Sequence, residues 1–574
     1  MSKNILKKNR TTIIFVAGSL IVLLFVAKLY QIQVMQGQTY RDKADKQYTG
    51  NQSDVFERGS IYFTDKKGNK ISAATVKTGY KVAINPSSVE NPEDIFNSLA
   101  EQLKLDENTF ANKAFKKGDT YEEIAKRVDP ALVENIIKKK LDGVSFYQEK
   151  WRFYPGKNLA SQTIGFLSYK GDDLKAQYGL ESYYDDVLER RDVGAFKNFF
   201  VELFSGLGQT LVEKKHPKGS LVTTIDPSVQ AFAEATLEKV KNDYHPKTSG
   251  VIIMNPSNGE IYALALNPNF DLNEYSKVEN PETYSNRLIE GRYEMGSIVK
   301  ALTMAAGIDA GVVTAETTYD DKGSMTLNGK TFYNYDKKVR GVVNMQTVLN
   351  NSLNTGVAFV VGRMGNEKFS KYMKDLLDGR TGIDLPNEIE SDLKQLNVNR
   401  DLEHAQASFG QGIALTPISI TRALAALGNG GFLVTPHIVK AIDYDAGFTQ
   451  NIDFPKPKRI FKQETSEDIS RMLVTVVDKA LKGGVVALPN YSIAAKTGTA
   501  QIANPATGGY YDDRYLHSFF GYFPAYDPQF IVFMYTIEPQ NAQYASETLT
   551  YPFMDIAKYL INYYEIPPDR DSKS

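Results

Sequence analysis

EMGSIVKALTMAAGI, Glu294 to Ile308, reads as a helix without a polar face. From Ser297 onward, Ile298, Val299, Ala301, Leu302, Met304, Ala305 and Ala306 are apolar or small, so almost every direction points into a core. Lys300 breaks the pattern, three residues after Ser297. Burial disfavours an ammonium and lowers its pKa, which turns a lysine into a base. Residues three apart share a helix face, so the Ser297 hydroxyl and the Lys300 amine can meet. A serine is a weak nucleophile until something takes its proton. The positive field of the helix N-terminus further discourages the ammonium form, and its free N–H groups can receive a developing oxyanion. Ser297 is therefore a candidate nucleophile and Lys300 its candidate base.

The S-x-x-K spacing is weak by itself, since about two matches are expected by chance in a chain this long. Ser391 and Lys394 in ESDLKQLN form a second one, and a lone lysine on such a helix can simply snorkel to solvent. Two further elements follow in order. NNSLNTG contains Ser352 and Asn354, and SIAAKTGTA places Lys496, Thr497 and Gly498 on a predicted strand. Each has a decoy: Lys77, Thr78 and Gly79 also spell KTG, and Ser2 with Asn4 spells S-x-N. Context rejects both, because the first precedes the nucleophile in a region of different character and the second lies at the extreme N-terminus.

The chain has 574 residues, 42% hydrophobic and 24% charged, enough for two or more domains with a large core. A net charge of -1 gives no sign of a nucleic-acid binder. The absence of cysteine excludes disulfides, thiolate zinc sites and cysteine nucleophiles. The five histidines are scattered without H-E-x-x-H spacing, so no metal site is expected. Thr11 to Tyr30 is an apolar run close to the ~20 residues that span a bilayer. Lys3, Lys7, Lys8 and Arg10 precede it and no small-x-small cleavage site follows, which predicts an uncleaved signal anchor with a cytoplasmic tail at 1–10 and the remainder outside the cytoplasm.

Residues 31–220 mix short extended pieces such as GYKVAINP with amphipathic helices such as PEDIFNSLAEQLKL. From 221 the pattern changes. Asp226 and Pro227 are an N-cap and first-turn proline, SGVIIMNPSNGEIYALAL reads as a hairpin, HSFFGYFPAYDPQFIVFMYTIE as two more strands, and TYPFMDIAKYLINYY as a closing helix. This order predicts an α/β (α+β) domain over 221–574: an antiparallel sheet flanked by terminal helices, with a helical block inserted between its strands. Ala195 to Leu211, rich in phenylalanine, is an apolar segment that packs within the N-terminal region or meets a partner or membrane.

The ordered triple S-x-x-K, S-x-N, K-T-G resembles that of the penicillin-binding proteins and serine β-lactamases. ERGSIYFTDKKGNKIS (57–72), YPGKNLASQTIGFL, YGLESYYDDVL and FGQGIALTPISITRALAALGNGG (409–431) are similar to segments of the class B penicillin-binding proteins, with Thr64 and Lys66 as departures, and Met295 where that family often has proline. The resemblance implies a pedestal or dimerisation domain at 31–220 and a D-Ala-D-Ala transpeptidase at 221–574, working without a cofactor and covalently inhibited by β-lactams. In it Ser297 would attack, Lys300 accept its proton, and Ser352 relay a proton to the leaving D-alanine. Asn354 would hold the Lys300 amine and the substrate carbonyl. Lys496 would supply positive potential, Thr497 a hydroxyl for the terminal carboxylate, and Gly498 the bare backbone that lets an extended substrate approach; the Thr499 and Ser297 N–H groups would form the oxyanion hole. It further implies a membrane-embedded glycan polymerase of the SEDS family as partner and, from length and tail, the division-type branch. The competing readings are an elongation-type enzyme, a β-lactamase, a β-lactam sensor and a non-catalytic division scaffold.

Overall fold

A computed structural model describes residues 57–570 of the chain, apart from 117, 171–172, 191–217 and 507. The expected membrane anchor at 11–30, the Ser2/Asn4 decoy and the apolar stretch at 195–211 lie outside the described residues. Among those described, no helix is long and apolar enough to cross a membrane.

Contacts divide the chain into two compact units that interleave along the sequence. The smaller contains residues 76–151. Its helices Pro92–Leu103, Glu107–Ala114 and Pro130–Ile137 begin where Asn91, Asp106 and Asp129 each accept a hydrogen bond from a first-turn N–H. Ile84, Ile95, Leu99, Phe110 and Ile136 form its core. Lys77, Thr78 and Gly79, the decoy triplet, lie on a strand at its start.

The larger unit contains residues 58–75, 152–190 and everything described from 218 onward. At its centre are five strands, β1 (Thr248–Met254), β2 (Ile261–Asn267), β3 (Ala494–Asn504), β4 (Gly509–Phe523) and β5 (Phe530–Ile537). They pair antiparallel in the order β3-β4-β5-β1-β2, so β3, which carries Lys496, Thr497 and Gly498, is an edge strand. The helices that matter to the site are α1 (Pro227–Tyr244), α2 (Val299–Asp309), α3 (Asn354–Met364), α4 (Asp401–Ser408), α5 (Pro417–Ala425), α6 (Gln463–Thr475), α7 (Ala545–Thr548) and α8 (Thr550–Tyr563).

Strand alternation sorts the core into two layers. Val251, Ile253, Ala263 and Ala265 face one side and pack with Val229 and Leu237 of α1 and Phe553 and Ala557 of α8. Ile252, Met254, Leu264 and Leu266 face the other, where Leu302 of α2, Val357 of α3 and Leu424 of α5 belong to the same cluster. The sheet with terminal helices and an inserted helical block is the arrangement expected from the order of the elements. Asp226 caps α1, accepting from the Ser228 and Val229 N–H groups, and also accepts from the Tyr563 hydroxyl at the end of α8 at 3.1 Å.

Two of the segments singled out in the N-terminal part of the sequence meet within this unit. Glu181 of YGLESYYDD is fully buried and takes the Nε of Arg58 from ERGSIY at 2.6 Å and the Nε of Arg152 at 2.6 Å. Burial pushes the Glu181 carboxyl up, but the two guanidinium groups outweigh it and hold the group below its ordinary value.

Candidate active site

The helix expected from Glu294 starts later than the pattern implies. Gly296 has φ +61°, in the left-handed region, so the segment turns sharply before a 3₁₀ turn at Gly296–Ile298 runs on into α2. The turn is held from outside, its Gly296 N–H donating to Gly410 O at 3.3 Å. A Cβ on Gly296 would lie 2.6 Å from the Thr499 carbonyl oxygen, so only glycine lets the turn approach β3 this closely. Ser297 therefore stands half-buried at the head of the helix, one turn from Lys300. Every residue of α2 from Val299 to Gly307 is buried, Lys300 among them at 1% exposure.

The second element supplies what the buried amine needs. Ser352 adopts φ +52° in the turn before α3. The Lys300 Nζ donates to its carbonyl oxygen at 2.5 Å and to its Oγ at 3.1 Å. Asn354, the first residue of α3, donates through Nδ2 to Tyr333 O at 2.8 Å. The Lys300 partners described are both on Ser352, so the contact from Asn354 to the amine implied by the resemblance is replaced here by one to Tyr333. A buried cluster behind Asn354 had no signal in the sequence. Asp321, fully buried, accepts from Thr355 Oγ1 at 2.8 Å and Asn334 Nδ2 at 2.9 Å, while Asn334 Oδ1 accepts from the Thr355 N–H at 3.2 Å. It anchors the N-terminus of α3.

The third element closes the site. Lys496 is 3% exposed and its Nζ donates to Ser352 Oγ at 3.1 Å and Thr497 O at 3.2 Å. Ser352 thus bridges two lysines that come from segments almost 200 residues apart. Gly498 lies against the nucleophile turn: a Cβ there would be 2.4 Å from Ser518 Oγ and 2.7 Å from Met295 O. Ser518 Oγ donates to Met295 O at 2.8 Å, so the residue standing where the family often has proline offers its carbonyl to the sheet. Thr497 and Thr499 are half-buried, and Thr499 Oγ1 accepts from the Ala545 N–H at 3.0 Å.

Electrostatics follow from this packing. Burial drives the Lys300 amine well below its ordinary 10.5, and the nearby Lys496 charge lowers it further. Burial lowers Lys496 to about 8. The lowering thus comes from burial and from a like charge on a distant strand, which the sequence did not foretell. A buried amine with a lowered pKa one turn from a serine, a hydroxyl shared with a second amine and a glycine-lined edge strand together make a site for acyl transfer.

The decoy pair behaves differently. Lys394 is exposed and pairs with Asp392 at 3.7 Å, while Ser391 Oγ accepts from the Thr416 N–H at 3.5 Å.

Residues 249–556 match the penicillin-binding protein transpeptidase domain, and residues 54–194 match the penicillin-binding protein dimerisation domain. The chain is a class B penicillin-binding protein. Among curated relatives of this penicillin-binding protein, stage V sporulation protein D of Bacillus subtilis is 30% identical, over 96% of this chain and 85% of its own. The peptidoglycan D,D-transpeptidase FtsI homolog of Mesostigma viride is 28% identical, over 97% and 95%. Among solved structures, penicillin-binding protein 2X of Streptococcus thermophilus matches with a TM-score of 0.71 at 20% identity, covering 89% of this chain and 81% of that one. Penicillin-binding protein 3 of Mycobacterium tuberculosis in complex with ampicillin gives a TM-score of 0.68 at 21% identity, over 91% and 98%. These structural likenesses place the fold of this penicillin-binding protein, mixed α/β as its sequence led us to expect.

Proposed function

We propose that this penicillin-binding protein is a septal peptidoglycan D,D-transpeptidase acting through Ser297. The observation that carries the reading is the dry amine of Lys300, with its pKa depressed, one turn from Ser297 and bonded to Ser352. Neutral Lys300 takes the Ser297 proton as Oγ attacks the carbonyl of the penultimate D-alanine. The N–H groups of Ser297 and Thr499 receive the oxyanion. Collapse breaks the peptide bond, and a proton passed through Ser352 leaves with the D-alanine amine, giving an acyl-enzyme. An amine from a second stem peptide then attacks the ester, forms the cross-link and frees Ser297. Lys496 and Thr497 grip the terminal carboxylate, Gly498 lets the extended donor lie along the free edge of β3, and Asn354 meets its peptide carbonyl.

Residues 221–574 would carry this chemistry and 31–220 would form the pedestal. The helix at 11–30 would anchor the protein in the membrane with residues 1–10 in the cytoplasm and the catalytic domain outside. A SEDS-family polymerase and other division membrane proteins would supply and position the glycan. The relatives named FtsI support the septal assignment, and β-lactams would acylate Ser297 as substrate mimics.

Mass spectrometry after labelling with fluorescent penicillin tests the reading. A stable adduct on Ser297, lost in Ser297→Ala, is expected; an adduct on Ser391 or rapid turnover of nitrocefin overturns it. Depletion in growing cells separates the branches: long unseptated cells mark the division role, and rounded cells the elongation role.

A further inference from the structure

Thr499 follows the K-T-G triplet, and its Oγ1 is held by one donor, the Ala545 N–H at 3.0 Å. Ala545 opens α7, a single turn of four residues between β5 and α8. One helical turn is unstable alone, because it fixes several backbone torsions for one hydrogen bond. Three side chains hold it, the first being Tyr244, whose hydroxyl donates to Glu547 O at 2.9 Å. Glu547 Oε2 accepts from the Gln543 N–H at 2.9 Å and the Tyr544 N–H at 2.8 Å, closing the turn onto itself. The third is His517, which lies opposite Thr499 in the β3–β4 register and is fully buried.

Both ring nitrogens of His517 are used. Nε2 is 3.1 Å from Gln543 O and Nδ1 is 2.9 Å from Thr548 Oγ1. A carbonyl oxygen only accepts, so Nε2 carries the proton; in the neutral ring Nδ1 then accepts from the Thr548 hydroxyl, which also lies 3.5 Å from Ala545 O. This is the neutral imidazole, and burial holds its pKa down to about 4 against weaker raising effects of the Gln543 carbonyl and Glu547. The ring grips residues 543 and 548, one on either side of Ala545. Displacing it frees the donor that fixes Thr499 on the strand facing Ser297.

We infer that His517 is a positioning residue for acyl transfer, acting through the 543–548 turn and the Ala545 N–H on Thr499. It touches neither substrate nor nucleophile. The inference rests on the reading of Ser297 as the acylated residue, which wild-type labelling tests separately.

The experiment is a double-mutant cycle on the full-length protein in detergent, reading the second-order acylation rate by fluorescent penicillin beside the thermal midpoint. His517→Ala opens a cavity and risks misfolding, so Thr548→Val, similar in shape but lacking the hydroxyl that meets Nδ1 at 2.9 Å and Ala545 O only at 3.5 Å, is the principal variant. Thr548→Val is expected to slow acylation about fivefold to tenfold, the worth of one hydrogen bond, and Thr548→Ser to restore it. In a Thr499→Val background, Thr548→Val should have no further effect. Effects that multiply in the double variant, or full-speed acylation by a Thr548→Val protein with a lowered midpoint, overturn the inference. Wild-type protein that takes no label on Ser297 overturns the underlying reading instead.

Discussion

Ser518 Oγ donates to the carbonyl oxygen of Met295 at 2.8 Å, tying the second strand of the sheet to the turn that presents Ser297 across 223 residues of chain. Gly498 lies beside this bond, with no room for a Cβ. Ser518→Ala should leave the fold intact and slow acylation about tenfold or less, the value of one buried hydrogen bond. Gly498→Ala should abolish acylation, because the new methyl meets Ser518 Oγ and Met295 O. Penicillin-labelling rates beside melting curves check both.

Acylation should follow a bell-shaped pH profile. On the acid side, Lys300 must be neutral to accept the Ser297 proton, so the rate falls as pH drops through its lowered pKa. On the alkaline side, Lys496 loses its charge above about 8 and with it the attraction for a carboxylate. Lys496→Arg stays charged and should remove the alkaline limb while retaining measurable activity. A rate that rises monotonically through pH 9 in the wild type would contradict this assignment.

Lys300→Met should inactivate the enzyme and stabilise the fold. The folded state leaves unprotonated an amine that the unfolded chain protonates below pH 10.5, so stability rises with pH between the folded value and 10.5. Each unit of depression costs about 1.4 kcal/mol, and methionine fills the space without that cost. A gain of more than ~1 kcal/mol at pH 7 is expected from denaturant unfolding, together with a weaker pH dependence of stability.

Glu181→Gln should destabilise the larger unit by about 3–5 kcal/mol, since it leaves Arg152 buried without a counter-charge and Arg58 with only the exposed carboxylate of Asp185, 2.7 Å from its Nη1. In the wild type the contribution of Glu181 is fully present above its ordinary pKa of 4.5 and is lost as pH falls through the lower folded value. Acid unfolding monitored by circular dichroism, wild type against variant, reads both effects.

Much of the site was legible because its chemistry sits in short local patterns. Lys300 stood out since a helix with apolar residues all round must bury whatever else it carries, and the three candidate segments follow one another in the order of the family they resemble. The start of the helix was misjudged by two residues because periodicity does not register Gly296, whose left-handed torsion is imposed by Thr499 and Gly410. The bond from Asn354 to Tyr333, the Asp321 and Asn334 cluster and the Ser518 pin were invisible, since each joins residues whose sequence neighbours say nothing of the partner.

By itself the amino-acid order determined the sheet with its terminal helices, the inserted helical block and the pairing of Ser297 with Lys300 as candidates one turn apart, because strand alternation, helix periodicity and one-turn spacing are local. Only the tertiary structure decided that Lys300 and Lys496 converge on one hydroxyl, that Glu181 collects two arginines, and that a buried histidine braces the turn beside Thr499. Those are matters of burial and long-range approach, where the dielectric around a charge is set by what the rest of the chain folds over it.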